Sequence, residues 1–191
     1  MAGRDSPGAM KEESSVIRSA GSLDQAALSS IFDEYAPAIF KYLLRLGIGS
    51  QEADQITGDV FVRLLEKISE GKGPRENLRA YLFQIAYHLV VDHSRERLRI
   101  AALDVVENVR VDSQPVQALT EDKLLLEKLT KIMERELTEE QRNVIVLRFQ
   151  EDFSLKETSE IIGKNVNAVK ALQNRGINKI REAMSREHGG E

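Results

Sequence analysis

Five cations and no acid lie between Lys164 and Arg181: Lys164, Lys170, Arg175, Lys179 and Arg181. Asn165, Asn167, Asn174 and Asn178 are interleaved with them. Lysine and arginine reach guanine edges or phosphates, and an asparagine amide can pair with adenine, so this mixture is suited to reading a nucleic acid. The spacing is helical. Val166, Val169, Leu172, Gly176, Ile177 and Ile180 fall on one side, leaving Asn167, Lys170, Ala171, Asn174, Arg175 and Asn178 on the other. The whole chain of 191 residues carries a net charge of −4, so this stretch reverses the sign locally. An acidic chain with one basic face does not grip DNA by bulk charge, so a partner is expected to supply part of the affinity. The plainer alternative is a helical hairpin with a solvated basic face.

The preceding residues supply what would position that face. Thr138 with Gln141, and Ser154 with Glu157, are capping boxes that each open a helix. Leu155, Thr158, Ile161 and Ile162 give the second helix one buried side. Gly163 can take the left-handed conformation that ends it, and Asn165 can cap the next. Two helices joined by a tight glycine turn form a helix-turn-helix, whose second helix enters the major groove. Gly176 costs about 1 kcal/mol in a helix interior, which points to a close contact or a bend there.

Other chemistries find little support. There is no cysteine, which excludes disulfides and thiolate metal sites. His88, Asp92 and His93 lie together, but a catalytic zinc needs three protein ligands and no matching cluster occurs elsewhere. No glycine-rich phosphate loop or nucleophile motif is present. The expectation is therefore no metal, no cofactor and no enzyme activity. No apolar run of about 18 residues points to a membrane span, and no signal peptide opens the chain. A cytoplasmic protein is expected.

The periodicity predicts an all-α protein of two small helical domains joined by a flexible linker. Residues 1–21 read as a flexible tail, 22–98 as the first domain, 99–119 as the linker, 120–185 as the second domain and 186–191 as a C-terminal tail. In the first domain, Ser22 and Gln25 open a helix that Pro37 should kink or split. Gly47 and Gly49 stop it, and Ser50 opens a second helix with Ile56, Val60, Phe61, Leu64 and Ile68 on one side. Gly71, Gly73 and Pro74 form a loop, and Asn77 can cap a third helix running to about Arg97. In the linker, acids outnumber bases and Pro115 breaks the periodicity.

Four segments in this order, FDEYAPAIFKYLLRLG, QEADQITGDVFVRLLEKI, ENLRAYLFQIAYHLVVDHSRER and the C-terminal helix-turn-helix, resemble the sigma-70 family of bacterial transcription initiation factors. The likeness is to the small extracytoplasmic-function (ECF) type and covers about Leu23 to Met184. It implies that the helix over Glu52–Ile68 docks on the β′ clamp helices of RNA polymerase core, through Asp54, Gln55, Thr57, Asp59, Phe61 and Arg63. It implies that Lys72, Arg75, Asn77, Arg79, Gln84, Tyr87, His88 and Arg95 meet the −10 element, where a flipped base must be held against its unstacking cost. Of the two tyrosines there, Tyr81 lies on the apolar side as a core ring and Tyr87 nearer the polar side as the stacking candidate. Gln84, Tyr87 and His88 depart from the arginine, arginine and asparagine usual in the family, which implies an altered −10 preference. In the second domain, Lys164, Asn165, Asn167, Lys170, Ala171, Asn174, Arg175 and Lys179 are implied for the −35 element, with Lys179 on phosphate. The implied partners are core polymerase (β′ clamp helices and β flap), promoter DNA and an anti-sigma factor. The alternative is a LuxR-type regulator, which also ends in a helix-turn-helix but normally carries a receiver or ligand-binding domain before it.

Overall fold

The computed structural model describes residues 25–74, 76–103 and 121–188, and these residues are helical with no strand. The first group comprises α1 (Gln25–Arg45), α2 (Ser50–Ser69) and α3 (Leu78–Leu103); the second comprises α4 (Glu121–Glu136), α5 (Glu139–Phe149), α6 (Leu155–Ile162) and α7 (Val166–His188). The expected tail at 1–21, the linker from 104 onward and residues 189–191 lie outside the described residues. Of the kink or split expected at Pro37 there is no split, and α1 runs unbroken through it. Two expected bounds differ. Helix α7 runs on to His188, into the tail expected from 186. The third helix continues past Arg97 to Leu103.

Local signals fix the helix ends. Gly47, at φ +82°, closes α1, and the Ile48 N–H returns to the Leu43 carbonyl at 3.2 Å. Asn77 accepts the Ala80 N–H on Oδ1 at 3.1 Å, starting α3 as expected. Both capping boxes form, Thr138 with Gln141 and Ser154 with Glu157. Gly163 sits at φ +67°, and the Ala168 N–H donates to Asn165 Oδ1 at 2.9 Å, so the α6 stop and the α7 start are set within three residues.

Helices α1–α3 bury Ile39, Leu43, Ile56, Val60, Leu64, Leu82 and Phe83 between them. Helices α4–α7 bury Met133, Val144, Val146, Phe153, Ile161 and Val169. These two cores are continuous, because α3 lies along α6 and the end of α1 meets α5. The Tyr42, Phe83 and Phe153 rings form the bridge, with centroids 5.2 Å and 4.9 Å apart in succession. Offset and edge-on aromatic pairs of this kind favour the join beyond the area they bury.

Candidate nucleic-acid interface

Helix α7 presents the face read from the sequence. Asn167, Lys170, Ala171, Asn174 and Arg175 are all exposed, as is Asn178. They recur at intervals of three and four residues and so form one stripe. Opposite them, Val169 and Leu172 are buried against α6 and α5. Gly176 is also buried, and a Cβ there would stand 3.1 Å from Ile145 Cγ1 and 3.3 Å from its Cδ1. The close contact expected from a glycine in mid-helix is therefore present. Three of the eight residues implied for the −35 element are engaged within the chain, Asn165 as the cap of α7 and two lysines. Lys164 Nζ pairs with Glu140 at 2.9 Å, and that carboxylate holds the ammonium pKa above its ordinary value. Lys179 Nζ donates to the Glu136 carbonyl at 3.0 Å.

The residues implied for the −10 element lie along the start of α3 and the loop before it. Lys72 is exposed and pairs with Glu70 at 3.1 Å. The hydrogen bonds from Lys72 and Lys67 hold the Glu70 carboxyl below its usual range. His88 and Arg95 are exposed, and Arg75 falls outside the described residues. The other four are turned onto the second group of helices. Asn77 Nδ2 donates to Glu157 Oε1 at 3.1 Å, and Gln84 Nε2 to the Glu160 carbonyl at 3.0 Å. Arg79 Nη2 donates to the Glu151 carbonyl at 2.7 Å and lies 3.3 Å from Glu151 Oε2, with its guanidinium 4.1 Å above the Phe153 ring. Tyr87 is buried, and burial followed by the charge of Glu140 pushes its phenol upward. Tyr87, read as the ring nearer the polar side, is thus the more enclosed of the two, while Tyr81 packs partly buried against the core as expected. The polar side of α3 faces another part of the chain, which helical periodicity does not reveal.

Glu151 is the centre of this contact. Its side chain is 6% exposed, 2.5 Å from Arg45 Nη1 and within reach of Arg79. Burial pushes its carboxyl up, and the two guanidiniums offset only part of that. Around it, Tyr42 donates its hydroxyl hydrogen to Asn143 Oδ1 at 2.5 Å. Arg142 Nη1 donates to the Leu46 carbonyl at the end of α1 at 2.8 Å, and Ser94 Oγ donates to Glu139 Oε2 at 2.8 Å.

On α2, Asp54, Gln55 and Arg63 are exposed and Asp59 is half-exposed. Thr57 and Phe61 are not on that surface. Thr57 is buried and its hydroxyl donates back to the Ala53 carbonyl at 2.7 Å. Phe61 is 8% exposed and packs on the Phe32 ring at 4.7 Å. The sequence reading missed the apolar side chains that do stand out, Phe32, Val62 and Leu65. It also missed an apolar groove of about 780 Å³ between α4, α5 and α7, lined by Leu129, Ile145, Phe149, Ile177, Ile180 and Met184. Phe149 is the signal that was there to find: a large apolar residue ending α5 at 53% exposure.

Comparison with known proteins agrees with this arrangement. The family profile for sigma-70 region 2 matches residues 31–100 and that for sigma-70 region 4 matches residues 135–182. The ECF RNA polymerase sigma factor BldN of Streptomyces coelicolor is 28% identical over 157 residues, which cover 81% of this chain and 59% of that protein. The ECF RNA polymerase sigma factor SigW of Bacillus subtilis is 28% identical over 170 residues, covering 84% of this chain and 90% of that protein. Among solved structures, CnrH in complex with the cytosolic domain of CnrY shares the fold, with a TM-score of 0.68 at 21% identity over 91% of this chain and 97% of that one. Two regions of one family thus fall in order on the two groups of helices and together span more than half of the sequence, and the chain belongs to the sigma-70 family.

Proposed function

We propose that this chain is an RNA polymerase sigma factor of the ECF type, which binds core polymerase, directs it to particular promoters and starts transcription. The observation that carries the reading is the exposed, acid-free stripe on α7 of a region 4 helix-turn-helix, in a chain whose other half matches region 2. Region 4 reads the −35 duplex through Asn167, Lys170, Asn174 and Arg175, and region 2 opens and holds the −10 element through the start of α3. The polymerase, not this chain, performs the catalysis.

Core polymerase meets the chain at two places in this reading. The exposed carboxylates and apolar side chains of α2 suit the clamp helices. The groove beside Phe149 suits an apolar helix, and we assign it to the β flap. Glu140 and Glu136, which hold Lys164 and Lys179, give those lysines to phosphate when DNA arrives. No described helix is long and apolar enough to cross a membrane, and work beside the polymerase places the chain in the cytoplasm. The LuxR-type alternative needs a receiver or ligand-binding domain, and α1–α3 provide none of a receiver's strands. An anti-sigma factor remains a proposed partner.

The test is transcription with purified core polymerase, this protein and a genomic fragment library, followed by mapping of RNA 5′ ends. Discrete starts preceded by a shared pair of spaced motifs are expected. No core-dependent transcript, together with specific duplex binding by the protein alone, would overturn the reading.

A further inference from the structure

Five amide side chains stand on α7 or at its start, Asn165, Asn167, Gln173, Asn174 and Asn178, and the chain uses three of them itself. Asn165 Oδ1 accepts the Ala168 N–H at 2.9 Å, Gln173 Oε1 accepts from Arg148 Nε at 3.2 Å and Asn178 Oδ1 accepts from Arg181 Nη1 at 3.2 Å. A backbone N–H and a guanidinium can only donate, so in each case it is the amide oxygen that is turned onto the chain. Asn167 and Asn174 are different. Both are exposed, and among the described residues neither amide has a partner.

That difference bears on which base is chosen. An amide reads adenine by accepting from N6–H and donating to N7, which needs its oxygen and its N–H to face the base together. Asn167 and Asn174 keep both groups for that purpose, and the other three do not. Seven residues separate them, which returns them to one face of the helix about 10.5 Å apart along its axis. At about 3.4 Å per base pair that distance spans about three steps of the duplex. Ala171 is exposed between them and ends at its Cβ, so it leaves the base edges within reach. Asn178 lies on the same face but about 16–17 Å beyond Asn167, past the roughly 12 Å width of the major groove.

We infer that Asn167 and Asn174 are the adenine-specifying residues of this chain, so that its −35 element carries two A·T pairs no more than about three steps apart, each held through adenine N6 and N7. This rests on the sigma-factor reading and deepens it, by separating the amides that choose a base from those that do not. Gln173 and Asn178 belong to the scaffold, where they hold Arg148 and Arg181.

The test uses holoenzyme assembled from core polymerase and the full chain, on a promoter defined by the transcript mapping above. Failure of the sigma-factor reading is seen there first, as the absence of any core-dependent transcript. The initial rate of transcription is measured at subsaturating holoenzyme with each base pair of the −35 element replaced in turn. The proteins are the wild type, Asn167→Ala, Asn174→Ala and Asn178→Ala. The wild type should slow by about 5- to 150-fold when either of two A·T pairs becomes G·C. Asn174→Ala should erase the discrimination at one of these pairs and Asn167→Ala at the other, while Asn178→Ala erases neither. An adenine analogue with carbon in place of N7 keeps its pairing edge, and so separates base reading from DNA shape. Placed at either pair, it should slow the wild type and leave the matching alanine variant unaffected. Three results would each overturn the inference: an equal loss on every promoter in Asn167→Ala and Asn174→Ala, discrimination erased at a pair other than A·T, or an N7-lacking adenine that the wild type does not notice.

Discussion

Replacing Arg175 by alanine tests the recognition stripe most directly. Arg175 is exposed near the far end of that stripe, eight residues beyond Asn167. At 1.5 Å per residue the two are about 12 Å apart along α7, comparable to the width of the major groove. A guanidinium placed there can make the two hydrogen bonds that distinguish guanine, worth about 1–3 kcal/mol of discrimination. In binding terms that is about 5- to 150-fold. No described ion pair or hydrogen bond within the chain involves Arg175, so the substitution should leave stability within about 0.5 kcal/mol. The assay is the initial rate of transcript formation with core polymerase, on a promoter with its own −35 element and on one with that element scrambled. The loss should appear on the first template and vanish on the second. An equal loss on both would refute base reading by Arg175. Were that loss accompanied by a salt dependence shallower by about one unit of slope, the side chain would belong on a phosphate.

Three further outcomes follow from individual contacts. Gly176→Ala should change stability by less than about 1 kcal/mol, because the helix-propensity gain offsets the push on Ile145, whose side chain can shift into the open groove. Gly176→Val should cost about 1–3 kcal/mol in urea unfolding, and a wild-type midpoint for it would show the contact to be loose. Phe149→Ser should weaken core polymerase binding in a pull-down without lowering the melting temperature, since the ring is 53% exposed; equal core binding would remove the groove from the proposed interface. The pH dependence of stability should change in Glu151→Gln. Burial raises the Glu151 carboxyl from its ordinary 4.5, so its contribution is complete below that value and is lost as pH rises through the raised native one. Glu157 has the opposite sign. Burial pushes it up, but hydrogen bonds with Ser154 and Asn77 prevail and lower it, so its contribution is present above 4.5 and lost on acidification. With the Glu151 contribution removed, the melting temperature of Glu151→Gln should rise more steeply with pH above about 4.5 than that of the wild type. Parallel curves would refute this role for Glu151.

The features legible in the sequence were those set by neighbours in the chain. Thr138, Ser154, Gly163 and Asn165 each act within three or four residues, so the helix ends of region 4 follow from their types. The stripe on α7 follows from a period of 3.6, and Gly176 marked its own contact by being a poor helix former with a bulky partner. What was not legible depends on residues far apart. Tyr42 and Asn143 are 101 positions apart, Arg45 and Glu151 are 106 apart, and Arg79 and the Glu151 carbonyl are 72 apart. The misplacements of Thr57 and Tyr87 have the same origin in different degrees. A threonine hydroxyl can satisfy itself on its own helix and turn inward. A tyrosine on the polar side of a helix is exposed only if nothing else in the chain covers that side.

One consequence bears on how such surfaces are read at all. Asn77, Arg79 and Gln84 were picked out by the family resemblance and carry amides and a guanidinium that suit nucleic acid, yet those groups report only that they need oxygen acceptors. Phosphates, base edges, carboxylates and free carbonyls all meet that need, and here the chain provides its own. The two sets of partners are then alternatives for the same donors. In the proposed reading a substitution at Arg79 removes a −10 contact and an inter-region contact together, so its net effect on promoter use is a difference between two losses. Arg45 touches the other region through Glu151 without being among the residues implied for either DNA face, so its substitution disturbs the inter-region contact without removing a −10 donor. The two roles proposed for the α3 surface therefore have to be separated through Arg45, not through the donors themselves.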